Sequence, residues 1–340
     1  MADVLTFGEI MLRLQPVGYK RIMQAEQYEA VYGGGEANVA VSLAQMGEDV
    51  AFLTRLPDNA VADKCVKELR GWGVDTSCIL RGGNRMGIYF CEKGAGPRGS
   101  NVIYDRAGSS FSEIAVSDMD LSVLGGCKWL HFTGITPAVS DSAAEAAEHL
   151  LKAAKDRGVT VSCDLNYRAK LWSREKACKV MTRLLKYVDV LISNEEDCKD
   201  VFNLSADGSN ILSGELSAEG YALLARKMQA KFPNISQVAF TLRESLSASV
   251  NNWSGMLVDK DGCHVSRKYT INIVDRVGGG DSFGAGLIYA LRHGRRGEEA
   301  ISFAVAASAI KHTIEGDFNI ASVAEIDKLS KGDGSGRVQR

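Results

Sequence analysis

The sequence lacks several features that would assign it to other classes of protein. With a formal net charge of −2, it has no basic excess to neutralise the phosphates of a nucleic acid. We expect no membrane partner, because no apolar run reaches the ~18 residues of a membrane span and no signal-peptide pattern opens the chain. The eight cysteines form no C-x-x-C pair and no zinc-type cluster with histidine, so we expect reduced thiols in a cytoplasmic protein.

Two nucleotide-binding motifs are absent as well. There is no G-x-x-x-x-G-K-[ST] stretch, which argues against a Walker-type NTPase. The first strand-to-turn passage, VLTFGEIMLRL, carries no G-x-G-x-x-G. The main sequence evidence for an NAD-dependent dehydrogenase is therefore missing. That class still suits a chain in which strands and helices alternate, and an assay of NAD reduction with candidate acids would test it.

Strand-like and helix-like runs alternate from about residue 129 onward. Short apolar runs occur at KWLHFTGI, VTVSCDLN, VDVLISN and QVAFTL, and segments with helical periodicity separate them. This rhythm predicts an α/β fold built from βαβ units around a mainly parallel sheet. The length of 340 residues allows one large α/β domain, which we place at residues 1–328, or two ordinary ones.

Two segments break this rhythm. Residues 10–32 and 86–106 resemble alternating strands with no helix between them, and KGAGPRGS in the second has the composition of a hairpin loop. They predict a small antiparallel sheet that projects from the core, and such an appendage often acts as a lid. The final segment, residues 329–340, has few apolar side chains and is predicted to be a disordered tail.

The stretch DRVGGGDSFGAG, residues 275–286, places three consecutive glycines before an aspartate. A strand-like run precedes it and a helical pattern follows, so Gly278, Gly279 and Gly280 lead onto a helix N-terminus. Unpaired N–H groups and the helix dipole favour an anion such as phosphate at that position. Asp281 fits two roles there, which need not exclude each other: an N-cap, and a general base that takes a proton from a substrate hydroxyl.

These motifs resemble those of the PfkB (ribokinase) family of carbohydrate kinases. DRVGGGDSFGAG is similar to the family signature D-T-x-G-A-G-D-x-F, and YGGGEANVAVSLAQMG at 32–47 is similar to its N-terminal glycine signature. The resemblance spans about residues 4–325 and implies a ribokinase-like three-layer α/β sandwich with a small β-sheet lid. It also implies that Asp281 is the catalytic base and that the amides of 278–281 form an anion hole. Arg276 replaces the usual Thr and Gly279 the usual Ala, and neither change removes an amide.

Two parts of the sequence indicate an acceptor site. In YGGGEANVA the glycines followed by Asn38 suggest a backbone surface for sugar hydroxyls, and the resemblance assigns Gly34 to it. Tyr104 and Arg106 are two residues apart and so share one strand face. With Arg168 in DLNYRAKLW, two guanidinium groups become available at one pocket. Arginine is the geometric match for a carboxylate, which favours a sugar acid over a neutral sugar.

Within the family, this constellation resembles the 2-keto-3-deoxygluconate kinases, whose acceptor is a sugar acid. The matching elements include MGIYF, YDRAGSS, TGITPAVS, DLNYRAKLWS and EGDFN. The resemblance implies that Tyr89, Tyr104, Arg106 and Arg168 contact the acid. It also implies that Asp317 holds a hydroxyl, although a turn residue is the alternative for this position.

For the nucleotide, the resemblance implies ATP with Mg²⁺. The implied nucleotide contacts are Asn166, Ser193, Thr241, Arg243, Gly278 and Gly280. The family's magnesium-linked N-x-x-E appears as NEED at 194–197, with Asp197 in the place of the glutamate and Glu195 or Glu196 able to compensate. We therefore assign an indirect metal role to Glu196 and Asp197. The usual T-x-G-x-x-G appears as TLRESLSASVNNW, which lacks both glycines.

The leading hypothesis is ATP-dependent phosphorylation of 2-keto-3-deoxygluconate (2-dehydro-3-deoxygluconate) to its 6-phosphate, with Asp281 as general base. One alternative is the same chemistry on another sugar, such as fructose or 5-dehydro-2-deoxygluconate. Another is a catalytically silent sugar-binding regulator on the same fold, which the intact Asp281 and glycine loop argue against. The resemblance further implies a homo-oligomer, a dimer through the lid or higher, and leaves open a monovalent cation as activator.

Overall fold

The computed structural model describes residues 2–206 and 218–333. Its strands form a ten-stranded sheet and a separate four-stranded sheet. The strands are β1 Val4–Phe7, β2 Met11–Pro16, β3 Tyr28–Gly33, β4 Val50–Leu56, β5 Ile79–Arg81, β6 Ile88–Glu92, β7 Asn101–Asp105, β8 Trp129–Thr133, β9 Thr160–Asp164, β10 Val190–Ser193, β11 Gln237–Ser245, β12 Val250–Val258, β13 Cys263–Val265 and β14 Tyr269–Asn272. The helices are α1 Gly35–Gln45, α2 Ala60–Gly71, α3 Ile135–Val139, α4 Asp141–Asp156, α5 Arg174–Leu184, α6 Glu195–Phe202, α7 Ala218–Lys231, α8 Gly279–Arg292, α9 Gly297–Lys311 and α10 Val323–Ser330.

The large sheet is mainly parallel, as the alternation of strands and helices predicts. Its strand order is β13-β12-β11-β10-β9-β8-β1-β4-β5, and β14 also pairs with β12. The strands from β11 to β5 in this order run parallel to one another. At one edge β12 is antiparallel to β11, and β13 and β14 are antiparallel to β12. The predicted fold class is therefore confirmed.

Two hydrophobic cores, one on each face of the large sheet, make the domain a three-layer sandwich. Alternate residues of β1 divide between them, because successive strand side chains point to opposite faces. Leu5 and Phe7 pack with α4 to α7 in one core, whereas Val4 packs with α1, α2 and α8 to α10 in the other. Within the described part of the chain, none of the helices combines the length and apolar character needed to span a membrane.

The small sheet is formed by the two segments predicted for the lid, with β3 ending one residue beyond the first, but it is mixed rather than antiparallel. Its order is β3-β2-β6-β7. The pairs β2–β3 and β6–β7 are antiparallel, as expected for hairpin neighbours. The two halves join through β2 and β6, which run parallel, with Leu12 opposite Ile88. No turn connects these two strands, so the sequence carries no local signal for their relative direction.

The last helix of the described residues, α10, extends to Ser330, two residues into the predicted tail. Residues 334–340 of that tail lie outside the described residues. The stretch TLRESLSASVNNW forms a hairpin of β11 and β12, with Leu242 opposite Ser254. The segment that lacks the family glycines therefore consists of the end of β11, the start of β12 and the turn between them.

Candidate active site

The predicted site residues come together in one pocket of about 820 Å³ at the carboxyl ends of the parallel strands. The large sheet contributes the ends of β9 and β10 and the middle of β11, and the small sheet covers the pocket with β6 and β7. The predicted residues that line it are Gly34, Asn38, Tyr89, Tyr104, Arg106, Asn166, Arg168, Ser193, Glu196, Asp197, Thr241, Arg243, Gly278, Gly280, Asp281 and Asp317. Gly279 is not part of the lining, because it packs against the protein interior behind the loop.

The glycine loop presents unpaired amides to this pocket. Gly278 precedes α8 with a φ of +82°, a left-handed conformation that favours glycine. The backbone N–H groups of Gly278, Gly280 and Asp281 have no hydrogen-bond acceptor among the described residues. The Gly279 N–H, in contrast, donates to the Arg276 carbonyl at 3.3 Å. Free N–H groups at a helix N-terminus form an anion site. Three of the four predicted amides are therefore available.

Gly279 has a packing role behind the loop. A Cβ at this position would collide with the imidazole ring of His312, which packs against Trp253 with 4.9 Å between ring centroids and the ring planes tilted by 56°. The histidine fills the space that the methyl group of the usual family alanine would need. This explains the departure from the family signature at residue 279.

Asp281 is held by a side chain from the other glycine-rich segment. Its Oδ2 accepts a hydrogen bond from Asn38 Nδ2 at 2.7 Å, and Asn38 Oδ1 in turn accepts one from the Gly34 N–H at 3.3 Å. The N-cap of α8 is Gly278, and Asp281 makes no capping bond, so the N-cap interpretation of Asp281 is wrong. Burial raises the pKa of Asp281 to about 6, and the Asn38 hydrogen bond opposes that rise.

Two further carboxylates lie at the same end of the sheet. Asp164, which ends β9, has a pKa well above its ordinary value because of burial and because Asp197 and Asp281 repel its charge. Burial raises the pKa of Asp197 to about 6, and Asn194 Nδ2 donates to Asp197 Oδ2 at 2.9 Å. A cation between Asp164 and Asp197 would offset this repulsion.

These two carboxylates could hold a magnesium ion whose other ligands are waters and substrate phosphates. Within residues 2–206 and 218–333, no group of three or more His, Cys, Asp or Glu side chains could hold a metal ion. Mg²⁺ commonly binds through one or two carboxylates, with waters and substrate phosphates completing its shell. Asp164 and Asp197 fit that description better than Glu196, which is exposed.

At the acceptor end, Arg106 already has a carboxylate partner. Its Nε donates to Glu9 Oε2 at 2.9 Å and its Nη2 donates to the same oxygen, and both side chains are buried. Arg168 is exposed and, among the described residues, forms no ion pair; its Nη1 donates to the Tyr167 carbonyl at 3.0 Å. The expectation of two unpaired guanidinium groups is thus corrected to one, Arg168.

Tyr89 and Tyr104 are neighbours on one face of the small sheet. They are directly opposite in the β6–β7 pair, with ring centroids 6.0 Å apart. Tyr104 also lies under the guanidinium of Arg106 at 5.7 Å. The hydroxyl of Tyr89 donates to Asp317 Oδ2 at 2.5 Å.

Asp317 belongs to a buried ion-pair network that no pattern in the sequence predicted. Arg13 on β2 donates to Asp317 Oδ1 at 2.6 Å and to Asp275 Oδ2 at 2.7 Å, and its side chain is fully buried. Both oxygens of Asp317 therefore have donors within the protein, Arg13 and Tyr89. A network of this kind fixes the small sheet against the glycine loop.

The residues assigned to the nucleotide by resemblance lie on β11 or at and just after the carboxyl ends of β9 and β10. Asn166 adopts a left-handed φ of +38°, and its N–H donates to Asp164 Oδ1 at 3.1 Å. Ser193 ends β10 and is buried, and its hydroxyl donates to the Asn194 carbonyl at 3.1 Å. Thr241 and Arg243 project from β11 into the pocket lining.

Glu9 and Asp164 were not predicted from the sequence, although a signal for both was present. Each is an acidic residue at the end of a buried strand, Glu9 just after β1 and Asp164 at the last position of β9. Ligand-binding residues in open α/β sheets gather at the carboxyl ends of the strands.

Glu36 also lines the pocket, but its role is structural. Its Oε1 accepts hydrogen bonds from the Thr133 N–H at 2.8 Å and from Thr136 Oγ1 at 2.6 Å, and these bonds connect α1 to β8.

The fold and the site together define a carbohydrate kinase of the ribokinase type. The family model described as "pfkB family carbohydrate kinase" matches residues 1–321, and the chain belongs to this ATP-using family. A 2-dehydro-3-deoxygluconokinase structure from Thermotoga maritima is 49% identical with a TM-score of 0.93, over 98% of this chain and 100% of that one. A 2-dehydro-3-deoxygalactonokinase from Haloferax volcanii is 31% identical over 98% of both chains. A 2-dehydro-3-deoxygluconokinase from Bacillus subtilis is 27% identical over 93% of this chain and 91% of its own.

Proposed function

We propose that the protein transfers the γ-phosphoryl group of ATP to the terminal hydroxyl of 2-keto-3-deoxygluconate and forms the 6-phosphate. The observation that carries this proposal is the arrangement of one pocket. Unpaired loop amides and the carboxylate of Asp281 belong to its lining, and so does the guanidinium of Arg168, which forms no ion pair among the described residues. Relatives that bear the name 2-dehydro-3-deoxygluconokinase, the Thermotoga structure at 49% identity among them, support the choice of acceptor.

The chemistry follows from Asp281 and its surroundings. The terminal hydroxyl oxygen of the sugar attacks the γ-phosphorus, and the new O–P bond forms as the bond to the β,γ-bridging oxygen breaks. The proton passes to Asp281, and ADP leaves with the bridging oxygen. Because Asn38 occupies Oδ2, Oδ1 is the oxygen that takes the proton. The free amides of Gly278, Gly280 and Asp281 stabilise charge on the transferring group.

In this proposal the acceptor site has one uncompensated positive charge, which matches the single carboxylate of a sugar acid. Glu9 neutralises Arg106, so Arg168 supplies the positive charge that the acid group of the sugar pairs with, and Arg106 and Tyr104 add hydrogen-bond donors. A neutral sugar would leave Arg168 unpaired. Gly34 and Asn38 border the same space, and we assign Asp317 to holding the Tyr89 hydroxyl in place.

Mg²⁺ accompanies ATP in this proposal; Asp164 and Asp197 would hold it, and Glu196 is a further carboxylate of the pocket lining. When bound, it neutralises charge on the phosphates. Asn166, Ser193, Thr241 and Arg243 are assigned to the nucleotide. An E. coli structure given as a ribokinase II in complex with ATP and Mg²⁺ has a TM-score of 0.80 at 17% identity over 97% of this chain and 99% of that one, and at that identity it shows the fold alone.

The proposal is tested by measuring ADP release with a panel of acceptors. The panel contains 2-keto-3-deoxygluconate, its C4 epimer 2-keto-3-deoxygalactonate, 5-dehydro-2-deoxygluconate and fructose. We expect the highest kcat/KM with a 2-keto-3-deoxy acid, and the epimers decide the configuration at C4, on which the relatives differ in name. A preference for fructose would overturn the choice of acceptor. Exchange of potassium for tetramethylammonium in the same assay tests activation by a monovalent cation.

The regulator hypothesis is tested with Asp281→Ala in the same assay. We expect this variant to lose phosphoryl transfer because it lacks the carboxylate that takes the proton. The matched control is Asp261→Asn, an exposed aspartate outside the pocket, which should keep full activity. If transfer by Asp281→Ala equals that of the wild type, the assigned mechanism is wrong.

The oligomer predicted by the resemblance is part of this proposal. Several large apolar side chains of the small-sheet segments are exposed, among them Val17, Tyr19 and Met23, the last with 94% of its surface accessible. A second copy that packs on this surface would bury them. Light scattering tests it: a dimer or higher species is expected, and a monomer at high protein concentration would contradict it. The cytoplasmic location stays a prediction.

A further inference from the structure

Two guanidinium groups at the nucleotide end of the pocket have no carboxylate partner among the described residues. Arg243 on β11 and Arg276 in the loop before α8 both contribute to the pocket lining. Within residues 2–206 and 218–333, neither forms an ion pair with an aspartate or glutamate. Positively charged side chains in a binding pocket that lack an internal counter-charge are suited to an anionic ligand.

Arg276 is held in place rather than free in solvent. Its Nη2 donates to the carbonyl of Ala248 at 2.9 Å, in the turn between β11 and β12, and the side chain is half-buried. The backbone of Arg276 also accepts the Gly279 N–H at 3.3 Å. The residue therefore links the β11–β12 hairpin to the glycine loop and keeps its guanidinium at a fixed place beside the pocket.

The two charges repel each other. Burial lowers the pKa of Arg276, the nearby guanidinium of Arg243 lowers it further, and Asp275 opposes the change. Both arginines also act on His312, whose pKa is lowered to about 4, first by burial. Two like charges in a partly buried region destabilise the protein unless an anion lies near both.

We infer that Arg276, together with Arg243, binds the polyphosphate chain of the nucleotide and makes the protein select a triphosphate donor. This rests on the proposed function, in which the amides of Gly278, Gly280 and Asp281 hold the terminal phosphoryl group. Arg276 is two residues before Gly278, and both line the same pocket, so in this proposal the guanidinium and the loop amides act on one polyphosphate chain. The usual threonine of the family signature at this position carries no charge, so the arginine adds a positive charge that the signature lacks.

The test is a binding measurement that needs no sugar. Calorimetric titration compares the β,γ-imido analogue of ATP with AMP, in wild type and in Arg276→Thr. We expect Arg276→Thr to weaken binding of the analogue about tenfold or more, as for loss of a charged hydrogen bond, and to leave binding of AMP unchanged. Arg276→Lys should lose less, since a point charge remains. Arg243→Ser should likewise weaken binding of the analogue and leave that of AMP unchanged.

Controls separate this inference from a structural effect and from the proposed function. Arg267→Thr replaces an exposed arginine outside the pocket and should bind both ligands as the wild type does. An equal loss for AMP and the analogue, or no loss for either, overturns the inference even when the wild type phosphorylates the sugar acid. If the wild type fails to phosphorylate any sugar acid but the selective loss persists, the acceptor assignment fails and the inference stands. If Arg276→Thr does not fold, Arg276→Lys and Arg243→Ser decide between these outcomes.

Discussion

Replacing Asn38 by alanine should move the pH dependence of catalysis. Asn38 Nδ2 donates to Asp281 Oδ2 at 2.7 Å, and the Gly34 N–H fixes the amide orientation through Asn38 Oδ1. This hydrogen bond stabilises the ionised carboxylate against the burial that raises its pKa to about 6. Without it, the general base should require a higher pH to ionise.

The size of the effect follows from the strength of the lost bond. A hydrogen bond to a charged group contributes about 1.5–3 kcal/mol, and about 1.36 kcal/mol corresponds to one pH unit. Because water that enters the vacated space recovers part of this, we expect the acid limb of the profile to move up by about one pH unit. The ionised fraction of Asp281 at pH 7 would fall from about nine-tenths to about half. Activity lost at pH 7 should therefore return in mildly alkaline solution.

The assay measures kcat and kcat/KM from pH 5 to pH 9. ADP is measured directly, so that no coupling enzyme limits the rate. Asn59→Ala is the matched control, because Asn59 caps α2 and lies outside the pocket; its acid limb should coincide with that of the wild type. A uniform loss of rate across the whole pH range, with an unmoved acid limb, would refute the reasoning. Asn38 would then act on the sugar alone.

Other predictions concern the charged groups of the pocket. The pKa of Asp281 is about 6 in the folded protein against an ordinary value of 3.8. The protonated carboxyl group therefore contributes its whole share to the free energy of unfolding below about pH 4, and this contribution is lost as the pH rises through 6. Asp281→Asn should therefore raise the free energy of unfolding at pH 8 by up to about 3 kcal/mol, measured by urea denaturation, with no gain at pH 3. Arg106→Ala leaves Glu9 buried without a partner and should destabilise the protein by about 3–5 kcal/mol, whereas Glu9→Gln with Arg106→Gln should recover most of this in thermal melts. Arg168→Ala should raise KM for the sugar acid about tenfold or more, and an equal rise for fructose would contradict its pairing with the carboxylate.

Local patterns in the sequence predicted the fold and the glycine loop, whereas most of the other pocket residues were assigned through the family resemblance. Alternating strands and helices predict the parallel sheet, and its carboxyl-end loops necessarily meet at one edge. Glycine-rich segments before α1 and α8 mark two sides of that edge, and the structure joins them through Asn38 and Asp281.

Partners far apart in the chain could not be predicted in this way. Arg106 pairs with Glu9 across 97 positions, and Arg13 pairs with Asp317 across 304. Neither pair shares a strand, a helix face or a turn, so no periodicity or spacing connects its members. The same holds for the parallel pairing of β2 with β6, which made the predicted antiparallel sheet mixed.

The three glycines of the loop are there for different reasons. A Cβ on Gly278 would collide with the Asp317 carbonyl, and one on Gly279 would collide with His312, so the protein itself requires both. A Cβ on Gly280 would meet nothing within 4 Å, and glycine inside a helix is less favourable than alanine by about 1 kcal/mol. The fold therefore gains nothing from glycine at 280, and the open space beside its free amide is where a phosphoryl group would need to approach.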